Sequence, residues 1–437
     1  MLKFTEELVS LSDQSGLVED QIAQIEEYSK ASTDADHFGE LSRLLQEKGL
    51  VDSAVYALRK QYSLTAKHDL LGIIEMLTWH KQCLAFQGLY SEERGRFQNT
   101  SSVEGPVVSA MIDGPPWGFV GLNLPIVTLK RFIEELGYRF CIYNLNTLSE
   151  READLISNES DYIIVNGSSL VGVNSPATKI LSSHPEKSLF YVHESSHQVE
   201  KMVGSKRSRV FQAIFSKVPV AFVSEKQKDI WESQYSIRRA HVIGNCNPNN
   251  VFFPQWRRKC PEKRVSRVRK IISIGSIQER KGVPEFIRLV RAVKESGVSL
   301  DWEWVGQLNN SRRNQIRAWG GDNEILRYFS GPSFGKELFE KIHSADLCIV
   351  FSNDDAGPMT VADSLDAGTP VLCSSGIGAS QITRETPACE LFDDYCGLER
   401  KVLGLEQYSV PVISRDWSCQ FSAPSLVAER VLRIFCL

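Results

Sequence analysis

The chain has 437 residues, 42% of them hydrophobic and 24% charged, and a formal net charge of −4. That length suggests two or three domains of ordinary soluble composition, and the slightly acidic balance gives no argument for a nucleic-acid partner. No apolar run reaches the roughly 18 residues that span a bilayer, no basic-then-apolar leader opens the chain, and the ten cysteines include no Cys-x-x-Cys pair, so the expectation is buried thiols in a reduced cytoplasm rather than a disulfide framework or a zinc ribbon.

Residues 1–104 read as all-helical. Leu41, Leu44 and Leu45, then Leu50, Val51, Ala54, Val55 and Leu58, recur at helical spacing, with Gly49 between the runs. Phe38, Leu41, Leu45, Gly49, Ala54 and Leu58 resemble one degenerate tetratricopeptide repeat with no convincing copy beside it, and stacked repeats need neighbours to bury their faces. Two readings stand: an accessory helical cap on the next domain, or a docking surface for a partner protein.

Glu104-Gly105-Pro106 marks a boundary, and residues 105–255 read as an α/β domain. Pro106–Ile112 is its first strand. The loop Asp113–Gly121 (DGPPWGFVG) follows, then an amphipathic helix from Leu122 to Leu136. The tip formed by Trp117, Gly118 and Phe119 suits stacking on a sugar or an acceptor, and equally suits loop packing. Further strands are predicted at Arg139–Tyr143, Asp161–Val165, Ser188–Val192, Val218–Val223 and Ala240–Ile243. Strands alternating with helical stretches give a doubly wound parallel sheet, which binds ligands at the carboxyl ends of its strands.

His193 stands at such an end. His193-Glu194-Ser195-Ser196-His197 matches the zinc-peptidase signature, in which both histidines sit one turn apart on a helix and the glutamate is the base. Here the first histidine directly follows a strand, and Glu200 is poorly spaced as a further ligand, so no metal site is expected. Ser224 caps the next helix, and Asn245, Asn247, Asn249 and Asn250 carry a turn. Residues 256–268 read as a basic linker between domains. Eight of the 14 residues Arg257–Lys270 are Lys or Arg. The stretch is a solvated linker, or a patch for peripheral membrane contact adding roughly 1 kcal/mol per basic residue near anionic lipid.

Residues 269–415 read as a second α/β domain. Lys270–Ile274 is a strand, followed by Gly275–Gly282 (GSIQERKG). Leu300–Val305 is the next strand, and Ile325–Phe329 leads into Ser330-Gly331-Pro332. Ala345–Phe351 is an apolar, β-branched run that reads as a buried strand. Residues 352–378 then read SNDDAGPMTVADSLDAGTPVLCSSGIG. Gly357 breaks the chain, Pro358 suits the first helical position, Met359–Ala367 forms a short helix, and Gly368 stops it. Pro370–Cys373 is the following strand. Asp355 lies before the helix and Asp363 on it, with seven residues between them. An anion held at the helix start would leave a carboxylate on either side for hydroxyl groups, which is the order of parts in a sugar nucleotide. Singly, Asp355 is as readily a cap and Asp363 a solvated residue. Gly376-Ile377-Gly378 lacks the rest of a dinucleotide pattern. Residues 416–437 end in a helix, Leu426–Phe435.

The stretch 352–378 resembles the donor-binding motif of the retaining GT-B glycosyltransferases of family four, the group 1 type. There two glutamates with seven residues between them are followed by a small-residue helix, a glycine and a Pro-Val strand. Asp355, Pro358, Met359, Asp363, Gly368, Pro370 and Val371 fall on the matching positions. Both acids are Asp here, each shorter by one methylene, roughly 1.5 Å. The resemblance covers residues 106–435. It implies two facing Rossmann-like domains, with the second binding the donor and the last helix crossing back onto the first. It implies transfer of a hexosyl group from a nucleotide sugar, UDP-sugar above all, to a glycan, lipid-linked or protein acceptor, with retention, and with neither metal nor other cofactor.

By the same resemblance Gly275–Gly282 is a phosphate loop. Lys281 pairs with the diphosphate, and Arg280 stands in for a family arginine whose position holds Ser276. The donor site further takes Gly275, Gly357, Pro358, Met359 and Thr360. Asp355 contacts the sugar, Asp363 the ribose, and His193 reaches the sugar from the other domain. Trp117 and Gly118 occupy the usual Gly-Gly of a loop facing the diphosphate, and Ser330-Gly331-Pro332 lies near the base. Two other classes stay open: a non-catalytic donor-binding or scaffold subunit, and a zinc peptidase through His193, Glu194 and His197.

Overall fold

A computed structural model describes residues 103–113, 123–195, 205–261, 267–331, 333, 335–405 and 411–436, together with Leu41 and Ala57. Those last two are helical and fully buried. The rest of the helical reading of residues 1–104 lies outside the described residues, as do Trp117, Gly118 and His197.

Ser101–Asp113 and Leu122–Leu437 form one compact unit, built on two six-stranded parallel sheets. The first comprises β1 (Val107–Ile112), β2 (Arg139–Asn144), β3 (Tyr162–Asn166), β4 (Ser188–Val192), β5 (Val220–Phe222) and β6 (Ala240–Val242), in the order β2-β1-β3-β4-β5-β6. The second comprises β7 (Lys270–Ile274), β8 (Asp301–Val305), β9 (Phe329–Ser330), β10 (Leu347–Val350), β11 (Val371–Ser374) and β12 (Cys389–Phe392), in the order β12-β11-β10-β7-β8-β9. Central strands covered on both faces need apolar side chains on both, and β4 (SLFYV) and β10 (LCIV) are buried at every position.

Helices fill both faces of each sheet. The first core gathers Phe190, Phe211, Phe215, Trp231 and Tyr235, and the second Phe286, Trp302, Trp304, Phe329 and Phe351. The helix Pro424–Phe435 packs against the helix Asn123–Glu135 of the first lobe. Phe435 stacks on Tyr162 at 4.7 Å, and Arg430 donates to the Ile243 carbonyl at 2.9 Å.

Local differences from expectation have local causes. Pro358 is the N-cap residue, at φ −70 and ψ 106, and the helix is Met359–Asp366. Ile325–Tyr328 is a 3₁₀ turn that leaves only Phe329–Ser330 as strand. Cys389–Phe392 was not foreseen as a strand: CELF is four residues long, carries a glutamate and lacks β-branching, as an edge position tolerates. Residues Phe253–Lys259 are helical, so the basic linker begins inside a helix. Arg257 is only 3% exposed, which removes it from any solvated or membrane-facing patch.

Candidate active site at the switch point of the second sheet

β7 and β10 are neighbours, and the chain leaves β7 toward β8 but leaves β10 toward β11. The loops beyond their carboxyl ends diverge there, and the crevice between them is where open α/β sheets bind ligands. The loop after β7 brings Lys281 and the loop after β10 brings Asp355. Their side chains form an ion pair between Nζ and Oδ2, at 20% and 18% exposure. Together with Ser273, Ser352 and Thr360 they line a hollow of about 10 Å³ over Trp304 and Phe351. Such a space takes about one water.

The two loops are joined through the backbone of Arg280. Its carbonyl accepts from Asn353 N and from the Ser352 hydroxyl, each at 3.1 Å. Its guanidinium turns instead to Gln278, with Nε donating to Oε1 at 2.9 Å, and is not on the wall of the hollow. Gly275, Gly357, Pro358 and Met359 belong to the surrounding loops and the helix start.

Asp363 stands elsewhere. It lies one turn beyond Thr360, is 7% exposed, and accepts on Oδ1 from Asn247 Nδ2 at 2.9 Å. Burial pushes its carboxyl up to about 6, against the hydrogen bonds from Asn247 and Asn249. Asp355 is on the wall of the hollow and Asp363 is not. The segment leaving the first lobe covers that part of the helix, which no count of residues along the motif reveals.

His193 follows β4 directly. Its ring rests on Tyr191 at 4.0 Å between centroids, and it is 9% exposed. Nε2 is buried and finds no hydrogen-bond partner among the described residues. Burial pushes its pKa down to about 3, so the imidazole is neutral. Glu194 accepts from Ser168 N at 2.6 Å, Ser169 N at 3.3 Å and His193 N at 3.2 Å. Residues 193–195 are not helical, so His193 and Glu194 do not lie on the helix that the zinc-peptidase signature needs. Among the described residues no group of three or more His, Cys, Asp or Glu is arranged to hold a metal ion.

Sequence reasoning missed the contacts that join the lobes. Ser195 donates its hydroxyl to Asp354, beside Asp355. Ser224 caps its helix and also donates to the Ala356 carbonyl. Asn245 Nδ2 donates to the Gly357 carbonyl at 3.1 Å. The cap signal for Ser224 was visible in the sequence, but its second partner lies 132 residues away.

No protein-family model and no curated protein matches the sequence. Solved structures do. A sucrose-phosphate synthase from Thermosynechococcus elongatus is similar at 14% identity, covering 76% of this chain and 95% of its own, with a TM-score of 0.51. A glycosyltransferase from Rickettsia africae is similar at 13% identity over 76% of this chain and 98% of its own, with a TM-score of 0.55. The Anabaena protein HepE, solved in complex with UDP and glucose, is similar at 11% identity over 76% of this chain and 98% of its own, with a TM-score of 0.50. Likeness at such identities speaks to the fold, and with the two parallel sheets above it shows that this chain has the GT-B fold of glycosyltransferases.

Proposed function

We propose that the protein transfers a hexosyl group from a nucleotide-diphosphate sugar, UDP-sugar first among them, to a glycan, lipid-linked or protein hydroxyl, with retention and without a metal. The observation that carries this is the meeting of Lys281 and Asp355 at the switch point of the second sheet in a GT-B fold. A cation there offsets the charge that grows on the departing diphosphate, commonly a large term in catalysis. Released from Lys281, Asp355 accepts from sugar hydroxyls. His193, held neutral by burial, offers a hydrogen bond to the sugar without adding charge. Asp363 reaches the ribose only where Asn247 gives up its hydrogen bond to it. The UDP named for HepE supports the choice of donor.

The test is a thermal-shift panel of nucleoside diphosphates and nucleotide sugars on the full chain. Binding at a hundredfold excess over Kd stabilises by roughly 2.7 kcal/mol. UDP is expected to raise the melting temperature of the wild type and not that of Lys281→Ala, whose melting without ligand stays close to the wild type. No shift with any member of the panel overturns the reading. The alternative, a non-catalytic nucleotide-binding subunit, draws support from the small hollow and from Lys281 being paired already. Binding of UDP without its release from any UDP-sugar would favour it.

A further inference from the structure

Three successive carbonyls of the loop carrying Asp355 are claimed by hydrogen bonds, two of them from the other lobe. The Asp355 carbonyl accepts from Gly378 N at 2.9 Å. The Ala356 carbonyl accepts from the Ser224 hydroxyl, and the Gly357 carbonyl from Asn245 Nδ2 at 3.1 Å. One residue earlier, the Asp354 carboxylate accepts from Ser195. Ser224 is fully buried and uses its hydroxyl twice. A lone pair takes Gln227 N at 3.2 Å, and the proton goes to Ala356.

The junction has no slack. A Cβ at Gly378 would lie 2.2 Å from Ser224 Oγ and 2.0 Å from the Ala356 oxygen, and one at Gly357 would lie 2.8 Å from Val223 Cγ2. Lys226 Nζ also crosses, to the Ser375 carbonyl. The loop is therefore gripped at consecutive backbone atoms by residues that do not belong to its own lobe.

We infer that Ser224 and Asn245 are positioning residues: the first lobe sets where Asp355 stands opposite Lys281, so that the acid is aimed only when the lobes are together. This rests on the glycosyl-transfer reading above and adds to it. Lys281 sits on the second lobe with β7 and needs no help from the first, so donor binding and presentation of the acid become separable steps.

Two measurements on the full chain test this, with Ser224→Ala and with Asn245→Ala, the latter leaving the Ser224 cap in place. The first is amide hydrogen exchange. Peptides covering residues 353–360 are expected to exchange about tenfold faster in both variants, while those covering β7 stay at the wild-type rate. The second is turnover of UDP-sugar. kcat is expected to fall about tenfold or more, with the Kd for UDP within about threefold of wild type. Wild-type exchange at 353–360 in both variants overturns the inference, and so does a loosened loop with unchanged kcat. A wild type that neither binds UDP nor turns over a nucleotide sugar overturns the glycosyl-transfer reading instead, and the exchange measurement alone then decides the positioning.

Discussion

Lys281 and Asp355 are 74 residues apart in the chain and meet as an ion pair about four-fifths buried. Charges so placed interact more strongly than on an open surface. A phosphate that approaches Lys281 therefore competes with Asp355 for the same cation. Asp355→Asn keeps the shape and removes the competitor. It is expected to lower the Kd for UDP about tenfold by calorimetry, equivalent to about 1.4 kcal/mol, while transfer of the sugar falls by at least about a hundredfold. An unchanged or weaker Kd would show that the pair does not oppose the ligand. Asp355 was legible in the sequence as an acid before a short helix, and Lys281 through the resemblance of its loop to a phosphate loop. Their contact was not, because nothing in either loop records the partner across the switch point.

The helix Met359–Asp366 is the element on which both lobes converge. Its start carries Thr360 toward the hollow. Its far end is bound from outside. Asn250 donates to Asp366 Oδ2 and Cys419 N to Oδ1, at 2.9 and 2.7 Å. Arg257 donates to the Leu365, Ser414 and Arg415 carbonyls at 2.8, 2.7 and 2.9 Å, and to that of Trp417 as well. One guanidinium thus satisfies four carbonyls, which a lysine ammonium cannot match in geometry. Arg257→Ala is expected to cost about 3 kcal/mol or more in urea unfolding, since it leaves buried acceptors unpaired, and Arg257→Lys should recover only part of that. A loss within about 0.5 kcal/mol would mean that the carbonyls find other donors. Sequence reading gave Arg257 to a basic run on the surface. The run is real, but helix Phe253–Lys259 turns this one member inward.

At the scale of the whole molecule, buried acids make stability depend on pH. Burial pushes the Asp366 carboxyl up to about 8, against the pull of Cys419 N, Asn250 and Arg257, and Asp363 up to about 6. A carboxyl whose folded pKa is raised holds a proton that the unfolded chain has released, so its contribution to stability falls as pH rises toward the folded value. His193 acts in the opposite sense, since it is buried neutral and favours unfolding as pH drops below its ordinary value of 6.5. Between pH 6.5 and 8 the Asp366 effect stands with little opposition. The melting temperature is expected to decline across that window, and Asp366→Asn is expected to flatten the decline, as read by calorimetry at fixed ionic strength. A rising or level wild-type curve would remove Asp366 from this role.

The sequence by itself determined the layers. Apolar runs such as those of β4 and β10 bury both faces of a strand, and their alternation with helical stretches points to a parallel sheet under helices. It also marked Asp355 and His193, which lie in loops at strand ends, and Lys281 through the resemblance of its loop. Tertiary structure alone decided which residue faces which. Asp363 turned to Asn247, Arg280 to Gln278, and Ser224 and Asn245 to the loop of the opposite lobe. The physical reason is that propensity and periodicity act over a few residues, whereas these contacts join segments that only the packing of two sheets brings together.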